Sequence, residues 1–165
     1  MRFNRGNQGR IGYETAQVCL NGHVITQFVE SHPEETKKFC DKCGEATTSV
    51  CPKCSKPVHG FYHHPRVGHS ITKAPAFCHE CGSAYPWTER QFAATKELAN
   101  EIFTPEESIQ VQQSLENIVR ETPNTPVAIV RFKKLMSKAG QTVASGFRDI
   151  LVDVVSEAIK KQIWP

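Results

Sequence analysis

The sequence predicts a small metal-bound β unit, a double zinc ribbon, followed by an α-helical C-terminal region. Three observations carry that reading. Eight Cys and His residues fall into four short pairs before Trp87. The apolar runs between those pairs are too short to form a self-sufficient core. After Trp87 the apolar residues recur every three or four positions between helix-start signals.

The pairs are Cys19/His23, Cys40/Cys43, Cys51/Cys54 and Cys78/Cys81. They read C-x3-H and then C-x2-C three times, with spacers of 16, 7 and 23 residues. All 7 cysteines of the chain are used, and with one imidazole they supply ligands for two tetrahedral ions. Structural zinc sites are closed, four-coordinate and built from Cys and His at such spacing. The expected cofactors are therefore two structural Zn2+ ions. For a unit with so little apolar area, each would supply much of the folding free energy, about 10–16 kcal/mol in small zinc peptides.

Each C-x2-C pair sets two thiolates on one tight turn. The turns read CDKCG, CPKCS and CHECG, with a small residue after the second Cys, where the backbone turns left-handed. The first pair has a longer loop, Cys19-Leu-Asn-Gly-His23, in which Asn21-Gly22 makes the turn. A lone His beside a Cys is more often solvated than ligating. Here the ligand count is one short without His23, and the replacements would be His32 or a residue of the His59–His69 stretch. Two connectivities fit. In tandem ribbons the first two pairs share one ion and the last two the other. In a cross-brace, pair one joins pair three and pair two joins pair four. Spacers of 16 and 23 residues each allow a hairpin between knuckles, which favours the tandem solution. A four-cysteine site can also hold a single redox iron, whereas zinc needs no special explanation.

Bulk properties narrow the classes. The chain has 165 residues, room for one domain or two small ones, and a net charge of +3, too small to imply nucleic acid by itself. The charge is segmented. Residues 1–85 carry ten Lys/Arg against seven Asp/Glu, 86–121 three against seven, and 122–165 seven against three. The N-terminus MRFNRGNQGR lacks the apolar core of a signal peptide, and no apolar run approaches the length of a membrane span. Thiol pairs at metal spacing in such a chain point to a reducing, cytoplasmic setting rather than to disulfides.

Along the chain, residues 1–12 read as a disordered N-terminus, 13–87 as the double zinc-ribbon domain and 88–165 as an α-helical domain. YETAQVCL and HVITQFV have the β-branched and aromatic content of short strands beside a knuckle. Thr88-Glu-Arg-Gln91 reads as a capping box opening a helix that carries Phe92, Leu98, Ile102 and Phe103. Thr104-Pro105-Glu106-Glu107 opens a second, with Ile109, Leu115, Ile118 and Val119 as its stripe. After the break Thr122-Pro-Asn-Thr-Pro126, Thr125-Pro126 caps a third. From there Phe132, Met136, Ala139, Val143, Phe147, Ile150, Val154 and Ala158 line one face of a long last helix, interrupted at Gly140. That makes three or four helices.

Other features could carry a role. VHGFYHHPRVGH interleaves His59, His63, His64, Arg66 and His69 with Phe61 and Tyr62. It reads as a recognition surface for phosphates, bases or an acidic peptide, or else as a polar ribbon loop whose aromatics cover the core. No catalytic residue is expected: the cysteines are taken by metal, and the histidines have no identifiable nucleophile or carboxylate partner. Trp87 is read as packing the ribbon onto the first helix. Arg131, Lys133, Lys134 and Lys138 crowd the last helix, which could lie on an anionic membrane or bury its apolar face against the helices at 89–121 and a second copy.

The stretches YETAQVCLNGH, FCDKCG, CPKCSKPVHG and APAFCHECGSAYPWTE resemble the bacterial domain-of-unknown-function family 2321, over roughly residues 13 to 90, with a weaker likeness in the helical tail. That resemblance implies a bacterial, zinc-ribbon-like, metal-binding protein and brings no activity with it. The expected function is a non-enzymatic zinc-binding adaptor whose helical tail oligomerises or anchors. Its partner would be a protein; nucleic acid and a membrane surface are the other classes, and a homo-oligomer is expected. The alternatives are a nucleic-acid-binding zinc ribbon and a cross-brace module with a ligase-like scaffold role.

Overall fold

A computed structural model describes residues 11–164; residues 1–10, which hold most of the segment read as disordered, lie outside it. The chain divides into two compact units, one ending at Trp87 and one beginning at Thr88.

The first unit is built from short strands around four turns. β1 (Gly12–Thr15) begins one residue before the expected domain start and pairs antiparallel with β5 (His59–His63). β2 (Gln17–Cys19) lies between β3 (Val24–Thr26) and β4 (Thr47–Thr48) in an antiparallel three-stranded sheet. Both strand segments read from the sequence are therefore present. The core is small: Ala16, Val18, Val58, Tyr85 and Trp87 pack with Cys51 and Cys78. Trp87 is buried, its ring stacked on Tyr85 at 4.6 Å and its indole N–H donating to the Pro75 carbonyl at 2.8 Å. Gly60 is required where β5 crosses the chain, because a Cβ there would lie 2.5 Å from the Gln27 carbonyl oxygen.

The second region holds five helices among the described residues: α1 (Pro86–Ile102), α2 (Pro105–Val119), α3 (Thr125–Ala139), α4 (Gln141–Leu151) and α5 (Glu157–Ile163). The α1 start differs from expectation. Pro86 takes the first position, and Thr88 is buried inside the first turn instead of capping it. The Thr104–Glu107 capping box is present in both directions. Asn124 rather than Thr125 occupies the N-cap of α3, and the Thr125 hydroxyl donates to the Asn117 carbonyl at 2.8 Å.

The long last helix is instead three helices. Gly140, at φ +94°, ends α3 where the interruption was read. A second break follows Leu151, and Ser156 restarts the chain by accepting the Ile159 N–H. The breaks let α4 and α5 fold back on α3, burying Phe132, Met136, Phe147, Leu151, Val155, Ile159 and Ile163 within the unit. Rotation at each break changes the stripe: Ala158 is exposed and Val155 replaces Val154 as the covered residue. In α2, Ile109 is 54% exposed; the covered face is Ser108, Val111, Ser114, Leu115, Ile118 and Val119.

Candidate metal centres

Three turns of nearly identical build carry six of the eight site residues. In each, the first Cys accepts from the N–H four residues on and donates to the carbonyl five residues on. The pairs are Gly44 N to Cys40 O and Cys40 N to Glu45 O, Ser55 N to Cys51 O and Cys51 N to Lys56 O, and Gly82 N to Cys78 O and Cys78 N to Ser83 O. A single bridge closes each turn: Phe39 with Ala46, Val50 with Pro57, Phe77 with Ala84. The residue after the second Cys is left-handed every time, Gly44 at φ +71°, Ser55 at +60° and Gly82 at +68°. Glycine takes that conformation freely; serine pays a modest strain for it. The fourth turn differs as its spacing implies, with Cys19 N donating to His23 O and Gly22 N to Cys19 O.

The turns meet in tandem. Cys19, His23, Cys40 and Cys43 form one group, Cys51, Cys54, Cys78 and Cys81 the other, and within each the potential ligand atoms all lie within 4.8 Å of one another. Neither His32 nor any histidine of the 59–69 stretch joins them.

The spacing tests what could fit. Metal–sulfur bonds of about 2.3 Å give a tetrahedron with sulfur–sulfur edges of about 3.8 Å, and a nitrogen at about 2.0 Å gives a sulfur–nitrogen edge of about 3.5 Å. In the first group Cys19 Sγ lies 3.8 Å from Cys43 Sγ, and His23 Nδ1 lies 3.4 Å from Cys19 Sγ and 3.6 Å from Cys40 Sγ. In the second, Cys51 and Cys81 sulfurs are 3.8 Å apart and those of Cys54 and Cys78 3.6 Å. A disulfide needs about 2.05 Å, and all seven cysteines are unpaired. Both groups match the edges of a metal tetrahedron.

The electrostatics also call for a cation. Backbone N–H groups aim at the sulfurs: that of Glu45 draws the Cys43 thiol down to about 6, and that of Cys81 draws Cys78 down to about 6. The Ser83 hydroxyl and N–H lower Cys81 as well. The Lys56 N–H acts on Cys54 in the same sense, but burial and the three neighbouring sulfurs prevail and push it up to about 12. Burial likewise raises Cys19. Some sulfurs of each group are poised to ionise while another resists, and a divalent ion at the centre removes that conflict. Beneath the second group, burial first and then the nearby cysteines hold the Tyr85 hydroxyl neutral.

The pairing of β1 with β5 builds an arrangement the sequence did not reveal. Glu14, 1% exposed, accepts from the Ser31 N–H at 3.1 Å, the Ser31 hydroxyl at 2.7 Å and His63 Nε2. Burial alone would raise its pKa; the Ser31 and His63 bonds outweigh burial and lower it. His63 thus belongs to a buried carboxylate pair, while Arg66, His64 and His69 are exposed. The partners are separated by 17 and 49 positions, so no local pattern announces them.

No curated protein and no solved structure matches this chain. Residues 12–163 do match a family described as an uncharacterized protein conserved in bacteria (DUF2321), so the chain, with its two four-ligand groups and helical C-terminal region, belongs to that family.

Proposed function

We propose that the protein is a non-enzymatic, cytoplasmic zinc-binding adaptor. Its first unit is held by two structural zinc ions and presents the surface around β1 and β5 to a macromolecular partner. The observation that carries this is the closure of both ligand groups. Four protein donors at tetrahedral spacing leave no open position for a substrate or an activated water, which is the mark of a structural site. Zinc suits both donor sets, three thiolates with an imidazole and four thiolates; a single redox iron suits only the second.

The helical unit covers the apolar stripe that argued for self-association, so that role passes to what it leaves outside. Ile109, Val127 and Val130 are each more than half exposed. On this reading they, and not the Phe132–Ile159 stripe, supply contacts with a second copy or an anchoring surface. Among the described residues no helix is long and apolar enough to cross a membrane.

Chelator titration tests the metal-scaffold reading through Trp87, which packs with Cys51 and Cys78. In a Trp164→Phe background, stripping metal should red-shift the Trp87 emission, and zinc should restore it. Emission that ignores chelation would show that the unit folds without metal.

A further inference from the structure

Among the described residues, the Tyr85 hydroxyl is buried without a hydrogen-bond partner, on a residue that is 0% exposed. Buried hydroxyls are nearly always paired, so an orphan calls for a cause. Its position is tightly set. The ring lies flat on Trp87, and the Tyr85 N–H donates to the Ala76 carbonyl at 3.1 Å, next to the Phe77–Ala84 bridge that closes the last knuckle. The same small core contains Cys51 and Cys78. After burial itself, the groups that keep the hydroxyl protonated are sulfurs, Cys78 ahead of Cys51 and Cys54. The phenol therefore ends beneath the second cysteine group, where sulfur is the acceptor at hand.

A donor is needed there. Four thiolates around a divalent ion keep two negative charges, whereas three thiolates and an imidazole keep one. Cys51 and Cys78 are only 0% and 3% exposed, so donors to their sulfurs must come from the protein. The knuckles supply some: the Cys81 N–H acts on Cys78, the Lys56 N–H on Cys54, and the Ser83 hydroxyl and N–H on Cys81. In the first group a side chain adds to the backbone donors, Asn21 Nδ2 donating to Cys43 Sγ at 3.5 Å. Tyr85 is placed to do the same for the second group, from its buried side.

We propose that Tyr85 is a positioning residue of the second metal centre, its hydroxyl turning about the C–O bond to donate an O–H···S bond to the Cys78 thiolate of the zinc-bound group. This rests on the reading of both ligand groups as zinc sites. The bond draws charge off the Cys78 sulfur, fixes that side chain, and holds the more highly charged of the two centres against loss of its ion. Tyr85→Phe separates such a donor from a merely structural ring, because the two roles predict opposite signs. Phenylalanine keeps the ring and its stacking on Trp87 and removes only the hydroxyl. Losing an orphan relieves a buried unsatisfied group and leaves the metal as tightly held as before, or more so. Losing a sulfur donor weakens the metal, by about 10- to 100-fold in affinity for a partner of a metal ligand.

Full-length wild-type and Tyr85→Phe proteins test it in two ways. Both are loaded with cobalt(II), which fills the same tetrahedral sites as zinc and reports on its sulfurs by absorption. The sulfur-to-cobalt charge-transfer bands of the four-sulfur site should move to longer wavelength in the variant, because a thiolate without its hydrogen bond gives up electrons more easily. A ring that only fills space would not move them. Zinc is then titrated in competition with a chromophoric chelator. Affinity for the four-sulfur site should fall about 10- to 100-fold in the variant. The site of Cys19, His23, Cys40 and Cys43 should be unchanged, since the groups share no ligand. Cobalt spectra that superimpose, or a second zinc held as tightly or more tightly by Tyr85→Phe, would overturn the proposal. The scaffold reading survives that failure if both proteins still take up two ions. A wild-type chain that takes up fewer than two would overturn both.

Discussion

Phe132→Ala decides whether the apolar stripe of the C-terminal region is core or interface. Phe132 is fully buried, with Phe147 edge-on at 5.8 Å and Trp164 edge-on at 6.4 Å. Truncating a buried Phe costs about 3–5 kcal/mol, part of it from two aromatic pairs worth about 0.5–1.5 kcal/mol each. A unit of this length is stabilised by about 4–12 kcal/mol in all, so the variant should sit near its threshold. In melting temperature the loss should exceed about 12 °C, at about 4–8 °C per kcal/mol for a domain this small. Val130→Ala is the control: at 68% exposure it should stay within about 0.5 kcal/mol. Thermal melts followed by far-UV circular dichroism at two protein concentrations give the answer. A large loss for Phe132→Ala, with a midpoint independent of concentration once Val130→Asp has removed the exposed face, supports a core inside one chain. A loss below about 1 kcal/mol, or a midpoint that still rises with concentration in that background, would refute the burial argument, because an obligate interface couples stability to mass action.

Other outcomes follow from the same structure. Cys40→Ser and Cys78→Ser should each release one ion and leave the other bound, because the groups share no ligand; metal analysis of the purified variants checks this. The Glu14 pKa is lower folded than unfolded, so its stabilisation is fully present above its unfolded pKa and lost as pH falls through the folded one. Glu14→Gln should therefore flatten the acid limb of stability measured by urea melts at several pH values. Val130→Asp should reduce the mass seen by light scattering while leaving the far-UV circular dichroism spectrum unchanged. A wild-type chain that is already monomeric, and that ignores anionic vesicles, would contradict the proposed role of that exposed face.

The knuckles were legible because metal spacing is a local constraint written in four-residue turns. Gly44, Ser55 and Gly82 could be assigned left-handed backbone from position alone, and the count of eight ligands pointed to His23, which the structure groups with Cys19, Cys40 and Cys43. A helix start was legible at Thr104, where a proline follows a capping hydroxyl, whereas at Thr125 the cap falls one residue earlier, on Asn124. The division of the last helix was only half visible. Gly140 marks one break, but Val152-Asp-Val-Val contains no glycine or proline, and the 3.6-residue period runs through it. Ser156 was the available sign, a cap residue ahead of Glu157. The Glu14–His63 pair was hidden for a different reason. Its members come from β1 and β5, and only the pairing of Tyr13 with Tyr62 and of Thr15 with His59 brings those strands together.

Metal content combined with X-ray absorption at the zinc edge tests the central claim most directly. The account predicts two zinc ions per chain, one bound by three sulfurs and a nitrogen and one by four sulfurs. The averaged shell should be dominated by sulfur at about 2.3 Å, with a minor nitrogen contribution near about 2.0 Å. One ion or none per chain, or a shell dominated by oxygen and nitrogen, would contradict it.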